Sequence, residues 1–126
     1  MGFPAGGPLD QHARLLTDKL QAVLGQPFIV DYKPGAGGSV GAESVARGPA
    51  DGYTIMLANT GVMVINGALY SKLPYNTLKD FVPIARTAQQ PLALLVNNNV
   101  PAKTLQEFRD YATKNPGKVN YGSAGN

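Results

Sequence analysis

The sequence predicts an α/β fold, and three features of the chain support that prediction. Segments with helical periodicity alternate with short apolar segments, and loops of small residues separate them. Continuous apolar runs are typical of strands in a parallel sheet, since such strands are buried on both faces. Hydrophobic residues make up 44% of the 126 residues, enough for a packed sheet with helices on both faces.

The first predicted helix covers residues 8–24. Its apolar residues recur at spacings of three and four, which places them on one face. They are Leu9, Ala13, Leu16, Leu20, Val23 and Leu24. Pro8 suits the first helical turn, where its missing N–H costs nothing, and Gly25 is a typical residue just past a helix end. A buried strand is predicted at 27–32.

The later elements continue the alternation of helix and strand. Helices are predicted at 39–47, 61–70 and 104–114. Strands are predicted at 53–59, 82–88 and 92–98, and a proline-containing connection at 72–81. Residues 118–126 are predicted as a strand that runs into a small-residue loop. Because the pattern begins with a helix, we expect a further strand before residue 3. Ligands of open α/β sheets bind at the carboxyl ends of strands, where several of the small-residue loops fall.

Composition excludes several kinds of site. The chain has no cysteine, which removes thiol nucleophiles, disulfides and cysteine-based zinc sites, and one histidine, His12, which excludes a histidine-rich metal site. Its Lys and Arg residues are scattered and the net charge is only +3, so no nucleic-acid surface is predicted. No apolar run is long enough to span a membrane, and no signal peptide is recognised.

The loop "PAGGP" at 4–8 leads directly into the first helix. A helix amino terminus carries unpaired N–H groups and a partial positive charge, and glycines let a ligand approach them. The loop is therefore either a carboxylate site made of backbone or a tight turn that simply needs glycine. Asp10, in the first turn, either complements the helix dipole or meets a polar group of a ligand.

A second glycine loop, "PGAGGSVG" at 34–41, lacks the glycine spacing of a dinucleotide fingerprint and the lysine of a P-loop. Close packing of strand and helix is the favoured interpretation. The alternative is a small α/β phosphate- or nucleotide-binding enzyme that uses Gly35–Gly41, and a scaffold that has lost its ligand is a third hypothesis. Neither Ser39 nor Ser123 has an obvious base, so no catalytic residue, metal or cofactor is predicted.

Several motifs together resemble one family. "FPAGGPLDQHARLL", "LGQPFIVDYKPGAGGSVGAESVA", "DGYTIMLANTG", "LYSKLPYNTLKDFVPIA", "PAKTLQEF" and "NPGKVNYGSAGN" occur in family order over nearly the whole chain. They resemble the Bug-type substrate-binding proteins of tripartite tricarboxylate transporters. The resemblance implies a two-lobed Venus-flytrap fold like that of type II periplasmic binding proteins. It also implies a periplasmic location, a small carboxylate ligand in the cleft, and delivery to membrane permease subunits without a reaction.

The resemblance also implies which residues touch the ligand. One loop grips a carboxylate through main-chain groups, a strand-end loop lines the same cleft, and a loop of the second lobe closes it from the other side. These positions are Phe3, Pro4, Ala5, Gly6, Gly7 and Asp10, then Asn59 and Thr60, then Ser123, Ala124, Gly125 and Asn126.

The family polypeptide is more than twice as long, so the resemblance indicates an N-terminal fragment. Residues 1–87 correspond to a partial first lobe without its initial strand, and residues 88–126 to the crossover and the start of the second lobe. A sheet that lacks a central strand leaves backbone groups unpaired. We therefore expect the chain to self-associate or to exchange elements between copies.

Overall fold

The computed structural model describes residues 1–91 and 93–122. The chain divides into two compact units, of which the first is Met1–Pro83 and the second begins at Ile84. The predicted lobe boundary at residue 87 falls slightly later, and the identity of these units with receptor lobes stays a prediction. None of the helices in the described ranges has the length and apolar character of a membrane span.

Helix α1, Pro8–Leu24, has the predicted bounds, with Pro8 in its first turn. It ends at Gly25, whose left-handed conformation (φ 67°) lets its N–H donate to the Gln21 carbonyl at 2.9 Å. The apolar stripe is covered only near the start of the helix. Ala13 is buried, whereas Val23 and Leu24 near the end are largely exposed.

Helix α2, Ser39–Ala46, follows a 3₁₀ turn at Ala36–Gly38 and lies within the predicted 39–47. Its glycines pack against the start of the chain. A Cβ on Gly41 would lie 2.5 Å from the Gly2 Cα, and a Cβ on Gly2 would lie 2.5 Å from the Gly38 carbonyl oxygen. The second glycine loop therefore packs closely against the start of the chain, although no β-strand takes part in this contact within the described residues.

The predicted helix at 61–70 is present in a modified form. It starts with a π-helical turn, Gly61–Ile65, and continues as α3, Asn66–Leu69. The described ranges contain two further helices. Helix α4, Thr77–Asp80, lies inside the segment predicted as a connection, and α5, Leu105–Lys114, begins after the Thr104 cap.

The core of the first unit is a cluster of Ala42, Val62 and Tyr75. The Tyr75 ring meets Phe81 edge to face, with centroids 5.8 Å apart and planes at 89°. Partly buried apolar side chains surround this cluster: Phe3, Ala46, Met56, Ala58, Met63, Leu73 and Phe81. The core therefore joins the first residues of the chain, α2 and the π-helical turn.

The predicted sheet is not confirmed, because the described residues contain no β-strand. The segments at 27–32, 53–59, 82–88 and the described parts of 92–98 and 118–126 have strand composition but form no ladder. Some of their side chains are strongly exposed: Ile29 and Tyr53 are each 91% exposed, and Leu95 is 88% exposed. A parallel strand needs hydrogen-bonded neighbours on its edges, and propensity alone does not supply them.

One contact has the hydrogen-bond pattern of parallel pairing. The Met1 ammonium donates to the Asp31 carbonyl at 2.6 Å, and the Lys33 N–H donates to the Met1 carbonyl at 2.8 Å. In a parallel ladder one residue bonds in this way to the two residues that flank its partner. The start of the chain thus lies beside residues 31–33.

Candidate functional site

The glycine loop at 3–7 is anchored at its base and open at its tip. The half-buried Phe3 ring lies close to Gly38 and packs against the core cluster. Pro4, Ala5 and Gly6 are exposed. Gly6 has φ 87°, a conformation that disfavours any other residue, and no neighbouring atom crowds its Cβ position. The loop therefore needs a glycine there for its backbone path rather than for space.

Asp10 is buried beneath this loop, with 4% of its surface exposed. Its Oδ2 accepts the Gly6 N–H at 2.7 Å. Its Oδ1 accepts the Tyr32 hydroxyl at 2.6 Å and the Arg14 Nε–H at 3.0 Å. Arg14 also donates from Nη2 to the Tyr32 hydroxyl oxygen at 2.8 Å. Both carboxylate oxygens are thus engaged within the protein.

These contacts stabilise the ionised form of Asp10. The Tyr32 hydroxyl is the main cause that lowers the pKa of Asp10, and the Gly6 N–H is the next. Burial opposes them and Arg14 adds to them. The same Tyr32–Asp10 hydrogen bond raises the pKa of Tyr32, because ionising the phenol would remove its donor.

The start of α1 presents main-chain donors beside the loop. Gly7 is the N-cap and supplies no side-chain acceptor. The Gln11 N–H donates to the Gly7 carbonyl, so the N–H groups of Leu9 and Asp10 precede the first intrahelical bond. The helix dipole adds a partial positive charge at this end. The arrangement can hold an anion without a cationic side chain.

Asn59 and Thr60 begin the helical segment that contains the π-helical turn. The Asn59 Oδ1 accepts the Val62 N–H at 3.1 Å, as in an N-cap. Asn59 and Thr60 are both exposed. Ala58 and Phe3 pack against the same core cluster. The two predicted ligand segments of the first unit therefore adjoin one core. The third predicted segment, Ser123 to Asn126, lies outside the described residues.

The second glycine loop is occupied by packing and by an internal hydrogen-bond network. The buried Asn66 side chain donates to the Ser39 Oγ at 3.1 Å and to the Gly37 carbonyl at 3.4 Å. A small cleft of about 140 Å³ borders this loop and does not include residues 3–7. Glu43 lines the cleft and is paired with Arg47 at 2.7 Å. Arg47 balances the charge of Glu43, and Lys72 also lines the cleft.

Two residues of the Asp10 cluster were missed by sequence reasoning. Arg14 is not among the predicted ligand-binding residues, although its spacing of four from Asp10 is that of a helical ion pair. Tyr32 gave no local signal, since it lies in another segment and meets Asp10 only in the fold. Within the described ranges, no group of three or more His, Cys, Asp or Glu side chains could hold a metal ion.

Comparisons with known proteins identify the chain's relatives. The family model described as "Tripartite tricarboxylate transporter family receptor" matches residues 12–126. "UPF0065 protein in gbd 5'region" of Cupriavidus necator is 40% identical over 99% of this chain and 38% of its own length. "Protein BugT" of Bordetella pertussis is 36% identical over 94% of this chain and 37% of its own length.

A solved structure titled "Structure of a periplasmic transporter" is 40% identical, with a TM-score of 0.81 over 98% of this chain and 42% of that one. The chain thus spans between a third and a half of the length of these relatives. The matched family is one of receptors rather than of enzymes, which agrees with the prediction of binding without catalysis. The resemblance to Bug-type receptors is confirmed, and the chain belongs to the tripartite tricarboxylate transporter receptor family.

Proposed function

We propose that the chain is part of a periplasmic solute receptor that binds a small carboxylate and delivers it to the permease subunits of a tripartite tricarboxylate transporter. The observation that carries the proposal is the exposed glycine loop before α1, a helix whose amino terminus has no side-chain cap. It is supported by membership of a receptor family and by a structural neighbour titled as a periplasmic transporter.

The local charges suit a negatively charged ligand. The main-chain N–H groups of Leu9 and Asp10 and the helix dipole offer positive potential at the loop. The buried carboxylate of Asp10 would repel an anion if it were uncompensated. It is hydrogen-bonded by Tyr32 and Gly6 and paired with Arg14, so its charge is balanced inside the protein.

The remaining predicted ligand contacts belong to the same proposal. Asn59 and Thr60 supply exposed polar groups beside the core that anchors Phe3. The family resemblance also assigns Ser123 to Asn126 to the ligand site, and that assignment stays a prediction. Binding that depends on main-chain donors is reversible and involves no bond cleavage, as delivery to a permease requires.

Citrate titration of the ¹⁵N-labelled chain tests this function, because NMR detects even millimolar binding in a 13.2 kDa protein. We expect saturable shifts of the Gly7, Leu9 and Asp10 amide resonances with citrate, and none with the neutral control glycerol. Shifts that stay linear, or that spread evenly over α5, would contradict a carboxylate site at the loop.

The same sample tests the enzyme alternative. ATP should leave the amides of the 35–41 loop unchanged, since that loop is packed against Gly2 and hydrogen-bonded by the Asn66 side chain. Saturable ATP shifts at 35–41 without a citrate response would instead favour a phosphate-binding enzyme.

Self-association is a further part of the proposal. Ile29, Tyr53 and Leu95 are apolar, strand-like and exposed, which favours pairing with a second copy. Size-exclusion chromatography with light scattering should give a mass above 13.2 kDa at micromolar concentration. A clean monomer would contradict this part of the proposal.

A further inference from the structure

We propose that Tyr32 is a positioning residue for the ligand loop: through Asp10 it holds the Gly6 N–H inside the protein and so fixes the backbone path of residues 3–7. Its effect on the loop stands on the hydrogen bonds alone. Its effect on ligand affinity rests on the proposed function.

The hydrogen bonds of Asp10 connect Tyr32 to the Gly6 N–H and fix the orientation of the carboxylate. A carboxylate can rotate about its Cβ–Cγ bond, and each oxygen can accept two hydrogen bonds. Tyr32 and Arg14 both donate to Oδ1, at 2.6 and 3.0 Å. With that oxygen held from two directions, Oδ2 is directed at the Gly6 N–H, which it accepts at 2.7 Å.

Tyr32 restrains the Asp10 carboxylate from a different segment of the chain, which Arg14 does not do. Arg14 lies on α1 with Asp10 itself, and its side chain is 60% exposed, so solvent weakens its hold. Tyr32 comes from the 27–33 segment, which is also hydrogen-bonded to Met1. Its hydroxyl therefore joins the loop and α1 to a second part of the first unit.

The hydrogen bond from Tyr32 also changes the expected role of Asp10. The family resemblance placed this side chain near the ligand, whereas its oxygens are occupied by Tyr32, Arg14 and Gly6. The Gly6 N–H is likewise engaged. The ligand at this loop is therefore bound by the main-chain N–H groups of Leu9 and Asp10. The Asp10 side chain affects ligand binding only by fixing the backbone of the loop.

Amide exchange in Tyr32→Phe tests the positioning role without any ligand. The substitution keeps the ring and removes only the hydroxyl. We expect the Gly6 amide proton to exchange several-fold faster and to move upfield, because its carboxylate acceptor is free to rotate. Tyr53→Phe is the matched control, since Tyr53 is 91% exposed, and it should leave Gly6 unchanged.

A pH titration of the Gly6 resonance separates positioning from general packing. The groups that face Asp10 are Tyr32, Gly6 and Arg14, and loss of the Tyr32 hydroxyl removes the largest cause of its lowered pKa. The Gly6 resonance of Tyr32→Phe should therefore titrate at higher pH than that of the parent chain. An unshifted titration together with unchanged Gly6 exchange would overturn the inference.

Ligand affinity gives the second readout. Citrate should bind Tyr32→Phe about tenfold more weakly than the parent chain, and Tyr53→Phe should bind as the parent does. If the parent binds citrate but Gly6 does not respond to Tyr32→Phe, the positioning role is refuted alone. If Gly6 responds but the parent binds no citrate, the proposed function fails and with it the effect on affinity.

Asp10→Asn keeps the test decisive if Tyr32→Phe does not fold. Its amide carries one acceptor oxygen and cannot serve Tyr32, Arg14 and Gly6 together. We expect the same faster exchange at Gly6, and a Gly6 amide as protected as in the parent would overturn the inference.

Discussion

Tyr75 donates its hydroxyl proton to the Val62 main-chain oxygen, inside the π-helical turn Gly61–Ile65. Both residues are buried, and Tyr75 lies in the connection before α4. The bond therefore fixes this connection to the turn that follows the Asn59–Thr60 segment. Because π-helical turns are rare, an outside donor of this kind helps to maintain one.

Tyr75→Phe should lower the free energy of unfolding by about 1–2 kcal/mol, since the ring packing on Phe81 is kept and a buried hydrogen bond is lost. Urea unfolding followed by circular dichroism measures the change. Tyr53→Phe is the control because Tyr53 is exposed. Equal urea midpoints for the two variants would show that the bond contributes nothing.

Alanine at two helical glycines should change stability in opposite directions. At Gly41 the new Cβ would lie 2.5 Å from the Gly2 Cα, so we expect destabilisation of about 1–3 kcal/mol despite the better helix propensity. At Gly67 no atom lies within 4 Å of the Cβ position, so Gly67→Ala should stabilise by up to about 1 kcal/mol. Thermal unfolding of both variants gives the signs, and stabilisation by Gly41→Ala would contradict the close approach.

A double-mutant cycle at Asn66 and Ser39 should show positive coupling. Asn66 is 2% exposed and donates to the Ser39 Oγ at 3.1 Å. We expect a coupling free energy of about 0.5–1.5 kcal/mol between Asn66→Ala and Ser39→Ala in urea unfolding. Strictly additive effects would mean that this hydrogen bond does not hold α3 to the second glycine loop.

Acid should remove the stabilisation that comes from Asp10. The Tyr32 hydroxyl, the Gly6 N–H and Arg14 hold the pKa of Asp10 below its ordinary value of 3.8. A lowered pKa contributes stability that is fully present above 3.8 and is lost as pH falls through the lowered value. The stability difference between the parent chain and Asp10→Asn should thus shrink below pH 3.8 in urea unfolding. A difference that is constant with pH would contradict this linkage.

Thr104→Ala should destabilise the start of α5. The Thr104 Oγ1 accepts the Glu107 N–H at 3.2 Å, while Glu107 accepts the Thr104 N–H in return. Loss of such a cap costs about 1 kcal/mol, and it should appear as faster amide exchange of Glu107. Thr104→Ser keeps the hydroxyl and should exchange as the parent does. Equal exchange in both variants would argue against the capping box.

Helices with clear start and stop residues were predictable from sequence. The apolar period of 8–24, together with Pro8 and Gly25, sets both ends of α1, and these signals are local. Helix α4 was missed because four residues between a proline and a strand-like segment show no periodicity. Its Asn76 cap, which accepts the Leu78 and Lys79 N–H groups, was the available signal.

Features that depend on distant residues were not predictable in the same way. Strand composition at 27–32 or 53–59 indicates a preference, but a ladder requires partner backbone that the described residues do not supply. The candidate loop at 3–7 was identified from its glycines and its place before a helix. The engagement of Asp10 by Tyr32 joins positions 22 residues apart, which no local pattern reveals.

The phenol of Tyr32 gives the protein an optical property of its own. The chain has six tyrosines and no tryptophan, so its ultraviolet emission comes from phenols alone. Since a carboxylate that accepts a hydrogen bond from a phenol quenches its emission, we expect Tyr32 to be dim while it donates to Asp10. We expect release of that bond to raise the tyrosine fluorescence, so that the glycine segment can be followed in a cuvette without any dye.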